Sequence, residues 1–244
     1  MGMPLSLEEK VRLLSMVDVF EPLSREELEE LAHLAHDTHL RQGEDLHTRQ
    51  AGSGKLYALK EGRVQLYVAL PNDGEVTLSV VEAGSIFGEM ALTDDRLGEE
   101  VSARALVPSL VCALKTEDVQ HLIEGNPQVG LAMVRMLSER LREAEVRLAE
   151  LAHKQVPARL ANLILRLSAT EGIMTREGIR IPTPYTHRQL GTMIGANREA
   201  VTRAMTGLRE QGAVEMVERC IHLMDHEALE REAEARPAAR HLPT

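Results

Sequence analysis

The 244 residues include only two cysteines, Cys112 and Cys220, and none lies before Cys112. Two thiols cannot build a cysteine-rich zinc or iron–sulfur site by themselves. Both stand in apolar, strand-like surroundings and read as buried thiols. No apolar run is long enough to span a bilayer and no signal peptide is evident, so a cytoplasmic protein without a membrane partner is expected. Carboxylates and histidines are plentiful, but no Ser-His-Asp spacing, phosphate loop or closed metal motif emerges, and the chain is not expected to be an enzyme. His33, His36, His39 and His47 cluster in sequence, with His33 and His36 one turn apart on an expected helix. Lacking a closed ligand set, they read as surface or core histidines, and no metal is expected.

Charge is present but unevenly spread. The net charge is −10, yet residues 157–212 hold eight Arg or Lys against four Asp or Glu, a local +4. Residues 1–156 carry about −11 and the segment from 213 carries −3. A local basic face governs contact with phosphates, while the acidic remainder limits non-specific adhesion.

Within the basic segment, Tyr185–Gly212 reads as two short helices joined by a glycine turn. Thr186 caps the first, whose apolar positions are Leu190, Met193 and Ile194; Gly195 supplies the bend and Asn197 caps the second. Val201, Ala204, Met205 and Leu208 then face inward, leaving Arg198, Glu199, Thr202, Arg203 and Thr206 outward. This fits a helix-turn-helix reader of double-stranded DNA. Arg198 and Arg203 offer planar donor forks that match guanine O6 and N7, and Glu199 can accept from cytosine N4. Thr186, His187, Arg188 and Thr202 are the candidate backbone contacts.

Before this segment, residues 5–17 and a stretch from Ser24 to about His36 read as helices, the second opened by the Ser24/Glu27 capping-box spacing. From Leu40 to Lys115 short strand-like segments alternate with glycine turns, Asn72-Asp73-Gly74 being a hairpin signal, which suggests a jelly roll of about eight strands. A long helix follows Asn126-Pro127 to about His153. Val134, Leu137, Leu141, Ala144, Leu148 and Leu151 form an a/d seam along it, the signature of a parallel two-chain coiled coil and hence of a homodimer. Gln155, Val156 and Pro157 read as a hinge, residues 158–169 as a helix, Ile179–Ile181 as a strand, and 212–216 with 220–223 as a wing ahead of a terminal helix from Asp225 to about Ala235. The expected class is α+β: a sensor domain over 1–125, dimerisation helix and hinge over 126–156, a winged helix-turn-helix over 157–232, and a loose tail over 233–244.

This arrangement resembles the CRP/FNR family of bacterial transcription regulators over essentially residues 16–225. The resemblance rests on E-G-R-V-Q-L-Y at Glu61–Tyr67, G-S-I-F-G-E-M-A-L at Gly84–Leu92 and G-A-N-R-E-A-V-T-R at Gly195–Arg203. It implies a cyclic-nucleotide-binding-type jelly roll, a dimer on two inverted TGTGA-like half-sites read by Arg198, Glu199 and Arg203, RNA polymerase as a further partner, and activation as the commoner outcome. By the same resemblance the effector pocket comprises Gly88 and Glu89, matched to phosphate and ribose contacts, then Glu99, Glu100, Ala144 and Glu145. Glu99-Glu100 stand where cAMP receptors carry an Arg-Ser pair, and Ala144-Glu145 where they carry Thr-Ser. A carboxylate in place of the arginine repels phosphate. Arg96 and Arg104 are the arginines that could compensate. No cofactor is therefore expected, with cAMP or another small effector left open, and cAMP is not expected to act in the usual manner. The competing reading is a ligand-binding signalling or protein-interaction module, which implies little salt-sensitive DNA affinity and indifference to changes at Arg198 and Arg203.

Overall fold

Each of the first two helices is opened by a serine that closes a capping box. In α1 (Leu7–Leu14) the Ser6 hydroxyl accepts from the Glu9 amide, and the Glu9 carboxylate takes the Ser6 amide at 3.0 Å. In α2 (Arg25–Leu34) Ser24 and Glu27 repeat the arrangement, so both carboxyls are held below the usual glutamate range by those backbone hydrogen bonds. The computed structural model describes residues 5–46, 54–71, 74–92, 101–176 and 178–235. It falls into two compact units, Met1–Leu141 and Arg142–Thr244.

Among the described residues the first unit is an eight-stranded jelly roll with helices packed on it. Its sheets run in the orders β1-β8-β3-β6 and β2-β7-β4-β5. The strands are β1 (His36–Leu40), β2 (Asp45–Leu46), β3 (Lys55–Glu61), β4 (Arg63–Leu70), β5 (Gly74–Glu82), β6 (Ile86–Phe87), β7 (Val101–Ala105) and β8 (Ser109–Lys115). One expectation needs correcting. Helix α2 stops at Leu34 because Ala35 turns extended and His36 already pairs with Ala113, so His33 and His36 do not share a helix. The apolar segment 105–114 holds the end of β7, a turn, and β8. Asn72, Asp73 and His47 lie outside the described residues.

Strand β3 shows why this region is apolar almost without a break. Leu56 and Ala58 face a core built with Leu14, Phe20, Leu31 and Cys112, whereas Tyr57 and Leu59 face the space between the sheets with Leu66, Phe87 and Val111. Both faces are covered, so alternation fades. Tyr57 stacks on Phe87 with centroids 5.1 Å apart. A register shift between Leu59 and Glu61 accommodates Lys60, whose wholly buried ammonium pairs with Asp37 at 2.6 Å. Lys10 reaches the same carboxylate at 3.5 Å and fastens α1 to β1. Burial pushes the Cys112 thiol up to about 11, which suits the inert thiol expected from its neighbours.

A further helix, α3 (Thr116–Gly125), precedes α4 (Pro127–His153) and has no counterpart in the sequence reading. The second unit packs α5 (Val156–Glu171), α6 (His187–Ile194), α7 (Arg198–Glu210) and α8 (His226–Glu234) against the sheet β11-β12-β10-β9. Strands β9 (Ile173–Thr175) and β10 (Gly178–Ile181) form a hairpin, where the sequence predicts only the second strand. The hinge is shorter than expected. Val156 and Pro157 already belong to α5, because proline is accommodated in a first turn where its missing amide has no partner to lose. Strands β11 (Val214–Val217) and β12 (Cys220–Leu223) form the wing. Leu160, Ile164, Ile181, Leu190, Val201 and Ile221, all fully buried, anchor this core.

Candidate functional site

Helix α6 begins at a third capping box. The Thr186 hydroxyl accepts from the Gln189 amide at 3.2 Å and donates to Gln189 Oε1 at 2.9 Å, while that oxygen also takes the Thr186 amide. With its proton given to Gln189, the hydroxyl has none for a phosphate while the box is closed. The helix ends at Gly195 in the left-handed region, φ +63°. Four residues earlier Gly191 is required too: a Cβ there would lie 2.5 Å from the Ala196 carbonyl oxygen. Asn197 Oδ1 then caps α7 through the Ala200 amide at 2.8 Å.

Helix α7 divides as its period requires. Val201, Ala204, Met205 and Leu208 are buried, and Arg198, Glu199, Thr202, Arg203 and Thr206 are exposed. Among the described residues Arg198, Glu199 and Arg203 make no ion pair, so their heads are available to a partner. Thr202 donates its hydroxyl proton to the Arg198 carbonyl at 2.9 Å and meets His187 Nδ1 at 2.8 Å. Arg188 is exposed beside His187. The wing ends in a two-residue turn, Glu218 and Arg219, both at positive φ. Beside α7, the first turn of α5 forms an open cleft of about 530 Å³ with Val156, Pro157 and Arg159 on one wall and Ala200, Arg203 and Gly207 on the other. The Arg159 Nε is buried without a hydrogen-bond partner.

Below this region Glu171, at the end of α5, is buried. It accepts from the Tyr185 hydroxyl at 2.7 Å and from the Thr183 hydroxyl, so one carboxylate fixes the segment that leads into α6. Sequence reading passes over it because a glutamate near a helix end reads as solvated.

Along α4 the expected seam is solvent-facing. Val134, Leu137, Leu141, Leu148 and Leu151 are 43–66% exposed, and Ala144 is exposed as well. Leu131 and Val146, outside the expected set, are also exposed apolar residues of α4. Leu151 has a second neighbour, since its Cδ2 would come within 2.9 Å of a Cβ at Gly195.

In the first unit, Gly88 adopts φ +83°, and a Cβ there would approach the Lys55 carbonyl oxygen to 2.9 Å and the Tyr57 ring to 3.1 Å. Glu89 follows at the start of a 3-10 turn. Its Oε1 accepts from Arg140 Nη1 at 2.8 Å, Arg140 Nη2 donates to the Ile86 carbonyl, and Glu89 Oε2 is buried with no partner. Arg140 escapes sequence reading because it looks like any charged flank of the seam. Glu99, Glu100 and Arg96 lie outside the described residues, and Ala144 and Glu145 are exposed on the part of α4 that belongs to the second unit. Ala103 and Ala105 face the core between the sheets, so Arg104 points the other way, forked onto Asp45 at 2.9 Å and Glu75 at 3.0 Å and lying over the Tyr67 ring. Burial opposes its charge, but the hydrogen bonds to Asp45 and Glu75 outweigh that and raise its pKa.

Among the described residues no cluster of three or more His, Cys, Asp or Glu is placed to hold a metal, and no helix is long and apolar enough to cross a membrane. Residues 158–232 match the Crp-like helix-turn-helix domain and residues 37–126 the cyclic nucleotide-binding domain. A cyclic AMP receptor protein of Thermus thermophilus is 33% identical over 162 residues, 66% of this chain and 71% of that protein. A global nitrogen regulator of Synechocystis sp. is 28% identical over 179 residues, 73% of this chain and 80% of its own length. The crystal structure of a CRP-family transcriptional regulator, also of Thermus thermophilus, superposes with a TM-score of 0.70 at 27% identity, covering 81% of this chain and 97% of that one. With a jelly roll, a long helix and a winged helix-turn-helix in that order, the chain belongs to the CRP/FNR family of bacterial transcriptional regulators and is a DNA-binding regulator, not an enzyme.

Proposed function

We propose that the chain acts as a homodimeric transcription activator on an inverted repeat of TGTGA-like half-sites. Arg198 and Arg203 donate to guanine edges and Glu199 accepts from cytosine, while RNA polymerase is the partner recruited. The observation that carries this reading is α7 itself, which keeps these three side chains exposed and unpaired on a helix capped at a glycine turn. The exposed apolar stripe of α4 supports the dimer, because leucines 43–66% exposed need a cover. A binding-site selection from randomised duplexes tests the base assignments: Arg203→Ala should relax preference at one position of each half-site, and an unchanged profile would refute its role.

The sensor domain does not use cAMP in the usual manner. The buried, unpartnered Oε2 of Glu89 and the glycine at 88 suit a hydroxyl-bearing ligand. By the resemblance the phosphate side is unfavourable, since Glu99-Glu100 stand in sequence where cAMP receptors carry an Arg-Ser pair, and Arg104 is committed to Asp45 and Glu75. Arg140 also already holds Glu89 and the Ile86 carbonyl, fastening α4 to the pocket loop through the chain's own residues. A calorimetric titration is expected to give no tight, saturable uptake of cAMP, and finding it would overturn this part of the proposal.

A further inference from the structure

Gly207 lies inside α7, yet a Cβ there would meet nothing within 4 Å. Glycine weakens a helix interior, so packing gives no reason for it at this position. The space it leaves belongs to the cleft of about 530 Å³ between α7, the first turn of α5 and Glu232 of α8, all within the second unit. Arg159 stands on the α5 side of that cleft and is half-buried. Its Nε is buried without a hydrogen-bond partner, and among the described residues its guanidinium makes no ion pair. A cation so placed needs an acceptor that the chain itself does not supply. The lining defines what would fit. Its charged members are Arg159 and Arg203 against Glu232, a net of +1. Glu232 already accepts from the Gln211 side-chain amide at 3.4 Å, whereas Arg203 has no carboxylate paired to it among the described residues. Val156, Pro157, Ala200 and Leu208 make much of the remaining wall apolar. One surplus positive charge and a planar donor fork match a single carboxylate, and the apolar wall matches a compact hydrocarbon body.

We propose that this cleft binds a small monocarboxylate with an apolar body. Arg159 holds the carboxylate, the body fills the space left at Gly207, and occupancy weakens DNA binding by engaging Arg203. The binding step stands on the cleft alone, while the effect on DNA rests on the reading of Arg203 as a base contact. By linkage, DNA lowers the affinity for the carboxylate by the same factor. The site shares no residue with the pocket around Gly88 and Glu89, which belongs to the first unit.

The probe is para-fluorobenzoate, followed by fluorine NMR titration of the full-length protein, with para-fluorobenzamide as its uncharged counterpart. Saturable uptake of the carboxylate and much weaker uptake of the amide are expected. Arg159→Gln should lower the carboxylate affinity about tenfold or more, because a hydrogen bond to a charged group is lost, and Arg159→Lys should restore part of it. Gly207→Leu starts from an unobstructed Cβ position, so the fold should persist while the filled cleft loses the probe. No uptake by the native protein at millimolar probe would overturn the site. Equal affinities in the native, Arg159→Gln and Gly207→Leu proteins would overturn it too, placing the probe elsewhere. In a second arm, fluorescence anisotropy with the tightest duplex recovered by site selection should show saturating probe weakening DNA binding in the native protein and not in Gly207→Leu. Weaker DNA binding in Arg159→Gln with unchanged probe uptake would make the arginine a DNA phosphate contact, and the proposal would fall. Probe uptake that leaves the affinity for the duplex unchanged would overturn the coupling. Absence of any selected duplex would remove the DNA-recognition reading and the coupling with it, the carboxylate site being decided by the first arm alone.

Discussion

Arg203 stands four residues beyond Glu199 on the exposed side of α7, with no carboxylate paired to it among the described residues. A side chain left open in this way adds little to folding, so its replacement should register in binding. Arg203→Ala is expected to cost about 1–3 kcal/mol at the cognate site while leaving thermal stability nearly unchanged. Titration of the selected duplex and a melting scan on the same variant would check both halves. Tyr185 should behave in the opposite way. Its hydroxyl donates to buried Glu171 at 2.7 Å, so Tyr185→Phe leaves a buried carboxylate short of a donor and should cost about 1–3 kcal/mol of stability, read by urea unfolding. At this scale the sequence is informative where one helix period decides the direction of a side chain, as in the split between Val201 and Arg203. It is silent where the partner comes from a distant segment. Nothing in Glu89 announces Arg140, fifty-one residues away, and nothing in His187 announces Thr202.

At the scale of the element, caps and seams are the most legible features. Ser24/Glu27 and Thr186 are readable as helix starts because the capping residues are chosen by local hydrogen bonding. Helix ends are less so. The pairing of β8 with His36 cuts α2 short, and β9 and α3 are too brief or too weakly patterned to stand out. The capping boxes carry a pH dependence. The folded Glu27 carboxyl is held below its ordinary range, so its contribution is complete above that range and is lost as pH falls through the depressed value. The acid limb of the melting profile should therefore flatten in Glu27→Gln relative to the native protein. The α4 stripe makes a second prediction at this scale. Leu141→Glu with Leu148→Glu places charges in the expected seam, and sedimentation equilibrium should find monomers where the native protein is a dimer. Dimers persisting at the same concentration would place the interface elsewhere.

For the whole molecule, charge is segregated along the chain: about −11 over residues 1–156 against +4 over 157–212. Binding to DNA should consequently be steeply salt-dependent despite the acidic total, the logarithm of the affinity falling with the logarithm of salt by about 0.9 per phosphate neutralised. The broad architecture is legible because each layer has its own period: short glycine-bounded strands, a heptad helix, then two capped helices around Gly195. The effector pocket is legible only by resemblance, since it is assembled from loops and from residues that no local pattern joins. The central claim is that two copies present Arg198, Glu199 and Arg203 to successive grooves of one duplex. Its most direct test is selection of bound duplexes from a randomised pool by the purified full chain, with and without cAMP. An inverted repeat of TGTGA-like half-sites, recovered equally in both conditions, is the expected result. A pool that stays unenriched in either condition would contradict the claim.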